Sequence, residues 1–462
     1  MLTISMIFLA TGQSFATTYY VDKNHTTASD SNIGTEAQPW ATIGHATGIM
    51  QAGDTIFVKQ GVYRERVNFT ISGTNGNIIV LTAYPGHTVV IDATGESYGI
   101  NLSGRDYIKI EGFEIINSSS HGILVNWNSG AGIGIQIINN KIHNCGIGSL
   151  NSAGVYYRYG DNGLISGNKI YDNGGDGIYI QADGSITIND NEIYQNEVDA
   201  IKAGGNIAII DNNFLHDAIM NGDHEDAIQF SATEGKIRNN IIFGFTQDIY
   251  IDSYSSTAGA SPRGEIFIYN NLVYNTRATE TGIEGDYNGI VIDSRYNNID
   301  KLYIFNNTIA NKNNGSGALR VLGDYRIKKM SVINNIFYNS TTLNSLSNIN
   351  EYDSESNIYY NQYRDWYFPG YINLAQYKID NPGLEVNSIE ADPLFVDAKN
   401  YSFQLQHESV AINKGVNLNS LIESLDILDT SRPQGSAWDI GAYEYTNSNT
   451  LPQPPTGLKI EK

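Results

Sequence analysis

The sequence predicts an all-β solenoid, a chain wound into stacked coils of short parallel strands. Two motifs repeated in step and an unusual composition point to it. The first motif is a small or acidic residue, then Gly or Ala, then alternating apolar residues. It appears as Asp176-Gly177-Ile178-Tyr179-Ile180, Asp199-Ala200-Ile201-Lys202-Ala203, Asp226-Ala227-Ile228-Gln229-Phe230 and Gln247-Asp248-Ile249-Tyr250-Ile251. Related stretches start at His121, Ala153, Asn288 and Gly317. Ile178, Ile201, Ile228 and Ile249 are separated by 23, 27 and 21 residues. The second motif is an apolar pair followed by Asn, as in Ile138-Asn139-Asn140, and it returns at Asn212-Asn213, Asn239-Asn240, Asn270-Asn271, Asn306-Asn307 and Asn334-Asn335. One such coil cannot bury its own apolar face, but stacked coils make a continuous core. Asn at the same turn of every coil can satisfy buried turn amides through its side chain. A β-propeller needs blades of about 40–45 residues and different signatures.

Composition agrees and excludes other classes. The chain has 46 Gly, 31 Tyr and more than fifty Asn, which suits many turns and short strands. Its 462 residues carry 28 Lys+Arg against 49 Asp+Glu, a net charge of −21, which argues against a nucleic-acid partner. With 41% hydrophobic and only 17% charged residues it is no disordered acidic tail. The single cysteine, Cys145, excludes a disulfide framework and a thiolate metal cluster.

Residues 1–16 carry no charge, and Ile4 to Ala10 form a short apolar run before Ser14-Phe15-Ala16. This reads as a signal peptide with a small-x-small cleavage site, although the basic n-region is missing. The alternative is a buried first strand. The run is too short to span a bilayer, and no later segment is apolar enough to do so. A secreted or periplasmic protein without a membrane span is expected.

The repeats resemble the right-handed single-stranded parallel β-helix of pectate-lyase-like proteins. Tyr19-Tyr20-Val21-Asp22, Pro39-Trp40-Ala41-Thr42-Ile43, Gly53-Asp54-Thr55-Ile56 and Gly61-Val62-Tyr63 resemble that superfamily's opening strand, short N-terminal cap and first coil. The resemblance covers residues 18–345 and is specific for fold. It is weak for reaction, since lyases, epimerases, glycosidases and non-catalytic proteins share the fold. The β-helix domain is placed at 17–385. Ala391-Asp392-Pro393-Leu394-Phe395-Val396-Asp397 opens a different segment that includes Asp439-Ile440-Gly441-Ala442-Tyr443. It resembles the choice-of-anchor-type segment that follows many secreted bacterial β-helices. Residues 386–446 are read as a C-terminal cap packed on the last coil, which a solenoid needs to cover exposed core and strand edges. Residues 447–462 are a linker-like tail.

In the first motif the third and fifth residues point inward, so the fourth and sixth point out. The outward columns then contain Tyr156, Tyr179, Lys202, Gln229, Tyr250 and Arg320 at the fourth position, and Arg158, Gln181 and Asp252 at the sixth. Tyr can stack on sugar faces, and Lys, Arg, Gln and Asp can bind hydroxyls and carboxylates. The alternative is an ordinary solvated sheet face. Segments 215–225, 253–264 and 276–287 lengthen the turns on both edges of this face and would wall a cleft around Lys202, Gln229 and Tyr250.

The densest polar cluster is Asp223-His224-Glu225-Asp226, with Asp199 one coil before and Asp248 one coil after. Asp223, Glu225, Asp226 and Asp248 are candidate ligands for calcium, which takes six to eight oxygens. The competing reading is that Asp176, Asp199 and Asp226 share one turn position and cap backbone amides.

The resemblance implies a lyase or C5-epimerase acting on a uronate polysaccharide, with calcium neutralising the substrate carboxylate and Lys or Arg as base. Lys202 is the lysine on the predicted face and the candidate base. His224, Tyr250 and Arg158 are candidate proton donors or carboxylate partners. Tyr156, Tyr179, Gln181, Gln229, Asp252 and Arg320 are candidate substrate contacts. A glycoside hydrolase using Asp226 and Asp248, or a non-catalytic glycan-binding β-helix, are the alternatives. A monomer is expected.

Overall fold

The computed structural model describes residues 16–125, 131–219, 225–252, 263–274, 288–295, 298–310, 317–323, 326–339, 341–343, 349–361 and 370–447. The first motif forms the strands Asp176–Asn189, Ile201–Asp211, Asp226–Arg238, Gln247–Asp252, Asn288–Asp293 and Gly317–Leu322, each paired in parallel with the next. Ile178, Ile201, Ile228 and Ile249 are direct register partners, and Ile290 and Leu319 extend the column. None of the six is more than 1% exposed. Each such burial contributes about 1.5–3 kcal/mol, so the column alone favours this register strongly.

The described strands form parallel sheets of 21 and 13 strands. In the early coils the larger sheet takes two strands per coil, such as Ala153–Arg158 and Gly163–Ser166. In Asp176–Asn189, Ile201–Asp211 and Asp226–Arg238 the two merge into one long strand. Short strands such as Lys141–His143, Lys169–Tyr171, Glu192–Tyr194 and Phe214–His216 build the second sheet.

The Asn motif forms the turn between the sheets. The residue before each ladder Asn takes positive φ, as at Asn139, Asn212, Asn239, Asn270, Asn306 and Asn334. Asn tolerates that conformation better than most residues. The second Asn is buried. Its side-chain amide donates to the next coil's Asn Oδ1, from Asn213 to Asn240 at 3.0 Å and Asn240 to Asn271 at 3.0 Å. The same amide reaches a backbone carbonyl of the preceding coil, Asn240 to Ile210 at 3.0 Å. The backbone N–H of each ladder Asn also donates to the next Oδ1, Asn213 to Asn240 at 2.9 Å. The buried ladder amides are thereby satisfied within the protein itself.

The ends are closed separately. At the N-terminus Thr42 accepts the His45 N–H and starts the helix Ile43–Ile49, which buries Ile43, Ala46 and Thr47. At the other end the ladder stops at Asn357, whose N–H donates to Ser388 Oγ at 2.8 Å and whose amide reaches Glu385 at 3.2 Å. The helix Leu374–Asp380 adds Leu374 and Tyr377 to the core.

The C-terminal segment begins on the last coil as expected, where Ile389 pairs with Ile358 and Ser388 accepts from Asn357. From Phe395 onward it departs from expectation and runs back along the flank of the second sheet. Phe395, Phe403, Leu405, Ile427 and Tyr443 pack on Leu272, Tyr274, Ala310, Ile336 and Ile358. Gly441 N donates to Asn334 O at 2.8 Å, and Asn306 donates to Asp439 O at 3.0 Å. Arg238 and Lys236 meet Glu423 at 2.7 and 3.1 Å. The physical reason lies in the strands beneath. Upstream coils present Lys141, Lys169 and Glu192 on this flank, whereas later coils present Leu272, Ile336 and Ile358, which need a cover.

Candidate functional site

The larger sheet carries the predicted columns. Tyr156, Tyr179, Lys202, Gln229, Tyr250, Val291 and Arg320 are successive register partners, as are Arg158, Gln181, Gly204 and Ser231, and then Asp252 and Asp293. Adjacent strands lie about 4.8 Å apart, so Lys202 and Tyr250 are separated by roughly 10 Å and Lys202 and Arg320 by roughly 19 Å along the axis. Arg320 therefore lies too far along the helix to act with Lys202 on one bond.

Lys202 is 37% exposed, and its Nζ lies 3.5 Å from Asp199 Oδ2. Burial works to lower its pKa, but Asp199, Asp176 and Asp226 together hold it above the usual lysine value. Asp199 does two jobs, because its Oδ1 accepts the Asp226 N–H at 3.0 Å. Asp176 Oδ1 accepts the Asp199 N–H at 3.2 Å in the same way. Both aspartates thus cap the next coil. Burial, reinforced by the neighbouring Asp199, pushes the Asp176 carboxyl well above the ordinary range.

The first motif position faces the same way as the fourth, since Asp199 reaches Lys202 and the His121 ring stacks on Tyr156 at 4.3 Å. The second position turns inward. A Cβ on Gly154 or Gly177 would meet Ile170 or Ile193 of the second sheet. Ile228 pairs with Ile249, so Asp248 aligns with Ala227 in this inward column and is fully buried. Asp226 and Asp248 therefore belong to opposite sides of the strand. This corrects the expectation that they act as one pair of ligands or as acid and base. Asp223 and His224 lie outside the described residues, as do most of the turn segments read as cleft walls. Glu225 is described and buried. Among the described residues, no group of three or more His, Cys, Asp or Glu side chains converges to hold a metal ion. The described carboxylates alone do not make a calcium site.

The aromatic column also behaves differently from expectation. Tyr156 and Tyr179 stack on each other, ring centroids 4.8 Å apart and 5° from parallel. The faces of such a stack are turned to one another, and a ligand meets ring edges and hydroxyls instead. Tyr179 Oη lies 3.4 Å from Gln181 Oε1. Tyr250 Oη donates to Asp293 Oδ2 at 3.0 Å, and Arg295 clamps Asp293 at 2.9 and 2.7 Å. Burial and then Asp293 and Asp252 push the Tyr250 phenol up, so it stays protonated. Gln229 reaches Asp252 at 3.4 Å. Arg158 touches Tyr156 Oη at 3.5 Å and Tyr159 Oη at 3.3 Å, and lies over the Tyr159 ring at 5.0 Å.

Two further residues shape this face. His121 lies at the first position, and burial lowers its pKa to about 4, which leaves a neutral ring that accepts the Ala153 N–H at 3.1 Å. Gly204 empties the sixth position beside Lys202, and a Cβ there would meet Ser231 Oγ at 2.9 Å.

Among the described residues, no helix is long and apolar enough to cross a membrane. A curated relative, the uncharacterized protein YwoF of Bacillus subtilis, is 26% identical over 454 residues, covering 85% of this chain and 91% of that protein. The crystal structure of pectate lyase Pel9A superimposes with a TM-score of 0.52 at 18% identity, covering 94% of this chain and 98% of that one. The structure of XylC with xylose gives a TM-score of 0.62 at 14% identity, covering 92% and 98%. These likenesses carry the fold. The family description "Pel9A-like, right handed beta helix region" matches residues 19–357, most of the chain. The protein belongs to the Pel9A-like right-handed β-helix family.

Proposed function

We propose that this protein is a secreted or periplasmic polysaccharide lyase that cleaves a uronate-containing polymer by β-elimination. The observation that carries the reading is a partly exposed lysine, Lys202, set in a column of tyrosine and amide side chains beside the side-chain-free Gly204. Pel9A, which shares the fold, is a pectate lyase, and this supports the same class of reaction here. In the proposed step Lys202 Nζ takes the proton from C5 of a uronate. The electron pair left behind forms the C4=C5 double bond, the C4–O bond breaks, and the leaving oxygen takes a proton. No water is consumed. The protonated Tyr250 phenol and Arg158 are the described candidates for proton donor or carboxylate partner, and Tyr156, Tyr179, Gln181 and Gln229 offer edges, hydroxyls and amides to sugar hydroxyls.

Lys202 must lose its proton to act as a base, and its carboxylate neighbours oppose this. Calcium belongs to the proposal as the ion that would offset those charges, with Glu225 and Asp226 joined by Asp223. The support is the chemistry of these oxygen donors, which suits a hard cation. A screen of uronate and neutral polysaccharides, with calcium and with chelator, tests the reading. Unsaturated products absorbing in the ultraviolet are expected. Reducing ends released without that absorbance would overturn the lyase in favour of a hydrolase.

A further inference from the structure

The outward face around Lys202 carries a guanidinium with no acid beside it among the described residues. Towards the N-terminal coils stands Arg158, two register steps from Gly204 through Gln181. Among the described residues no carboxylate lies within ion-pair distance of Arg158, and its Nε is buried without a hydrogen-bond partner. Its other contacts are the hydroxyls of Tyr156 and Tyr159. This is unusual in a chain with a net charge of −21. Several other described guanidinium groups on the solenoid have an acid beside them, as Arg238 has Asp211 at 2.8 Å and Arg295 has Asp293 at 2.7 Å. Towards the C-terminal coils the same column holds Asp252 and Asp293, both buried, with Arg295 and Tyr250 on Asp293. Between the two ends Gly204 and Ser231 leave a dip about two coil spacings wide, roughly 10 Å, or one to two sugar rings.

We infer that Arg158 is the carboxylate-reading residue of this face, so that the polymer lies with a uronate carboxylate on Arg158. A guanidinium offers a planar pair of donors matched to a carboxylate, and a partly desolvated one lacking an acid gains most from it. The inference rests on the proposed lyase reading for the identity of the chemistry. It names a specificity-determining residue two coils away from the base.

The test is affinity electrophoresis of Lys202→Ala protein in polygalacturonate and in alginate, each compared with its carboxyl-reduced, neutral form. Tighter retention by at least one acidic polymer is expected. Adding Arg158→Gln should weaken that binding about tenfold or more while changing the neutral form little. Arg158→Lys should restore only part of it, because the paired donors are lost. Equal weakening of acidic and neutral forms, or no acidic polymer held more tightly than its neutral form, overturns the inference. Arg158-dependent binding alongside wild-type protein that yields no unsaturated product sinks the lyase reading and leaves the inference standing. Turnover with binding indifferent to Arg158 does the reverse.

Discussion

Asp199 joins Lys202 to the scaffold: one carboxylate oxygen lies 3.5 Å from the lysine ammonium and the other accepts the Asp226 N–H at 3.0 Å. The group that sets the charge state of Lys202 is thus also a structural cap, and the two roles can be separated by substitution.

The first prediction concerns pH. In the proposed reaction the base is neutral Lys202, and the surrounding carboxylates favour its protonated form. Activity should therefore rise with pH on an alkaline limb. Asp199→Asn keeps an oxygen for the Asp226 N–H but removes the charge. Its limb in kcat/KM against pH should move to lower pH. A limb that stays put or moves up would refute Lys202 as the titrating base.

Lys202→Ala should abolish formation of unsaturated product. The fold should survive, because a partly exposed ion pair is worth less than about 1 kcal/mol and its loss shifts Tm by only about 2 °C. Near-normal turnover in that protein would redirect the search for the base.

The ladder predicts a large stability effect. Asn240 is fully buried, donates to Ile210 O and Asn271 Oδ1, and accepts from Asn213. Asn240→Ala strands a buried carbonyl and a buried N–H, at a cost of about 2–5 kcal/mol. Denaturant titration of that variant against Asn212→Ala, which stands at the outer position beside the ladder, measures the difference.

Docking of the C-terminal segment should weaken in acid. Burial works to raise the Glu423 pKa, but Tyr269, Arg238 and Lys236 hold it down to about 2. A carboxyl depressed in the folded state stabilises at pH above its unfolded value and loses that contribution as pH falls from about 4.3 towards 2. Hydrogen exchange of residues 391–446 should accelerate over that window in the wild type. In Glu423→Gln it should already be faster at neutral pH and lack the acid step.

Calcium should raise Tm, by an increment that grows with its concentration and disappears in chelator. An unchanged Tm in both would remove calcium from the proposal.

The repeat was legible because burial enforces it. Ile178 to Ile249 must all point inward, and a slip of one residue would expose the whole column. The fourth and sixth columns followed from simple alternation. The site was less legible where alternation breaks. Asp226 and Asp248 occupy neighbouring coils, but the second motif position turns inward with the first remaining outward, and spacing alone does not reveal this. The flank docking of the C-terminal segment was visible in principle, in the change from Lys141, Lys169 and Glu192 to Leu272, Ile336 and Ile358 at one strand position. Tyrosines in adjacent coils stack because the coil spacing matches ring contact, and that turns their faces away from a ligand.

The Asn ladder has a consequence for how this molecule can change. Successive rungs are separated in sequence by 22 residues at Asn191 to Asn213, 31 at Asn240 to Asn271 and 36 at Asn271 to Asn307. The amide contact nevertheless stays at 3.0, 3.0 and 2.9 Å. Each rung keeps the same contact whatever the length of chain between it and the next. New walls around the polar face can therefore be grown or trimmed one loop at a time, with no redesign of the stacked coils that carry them.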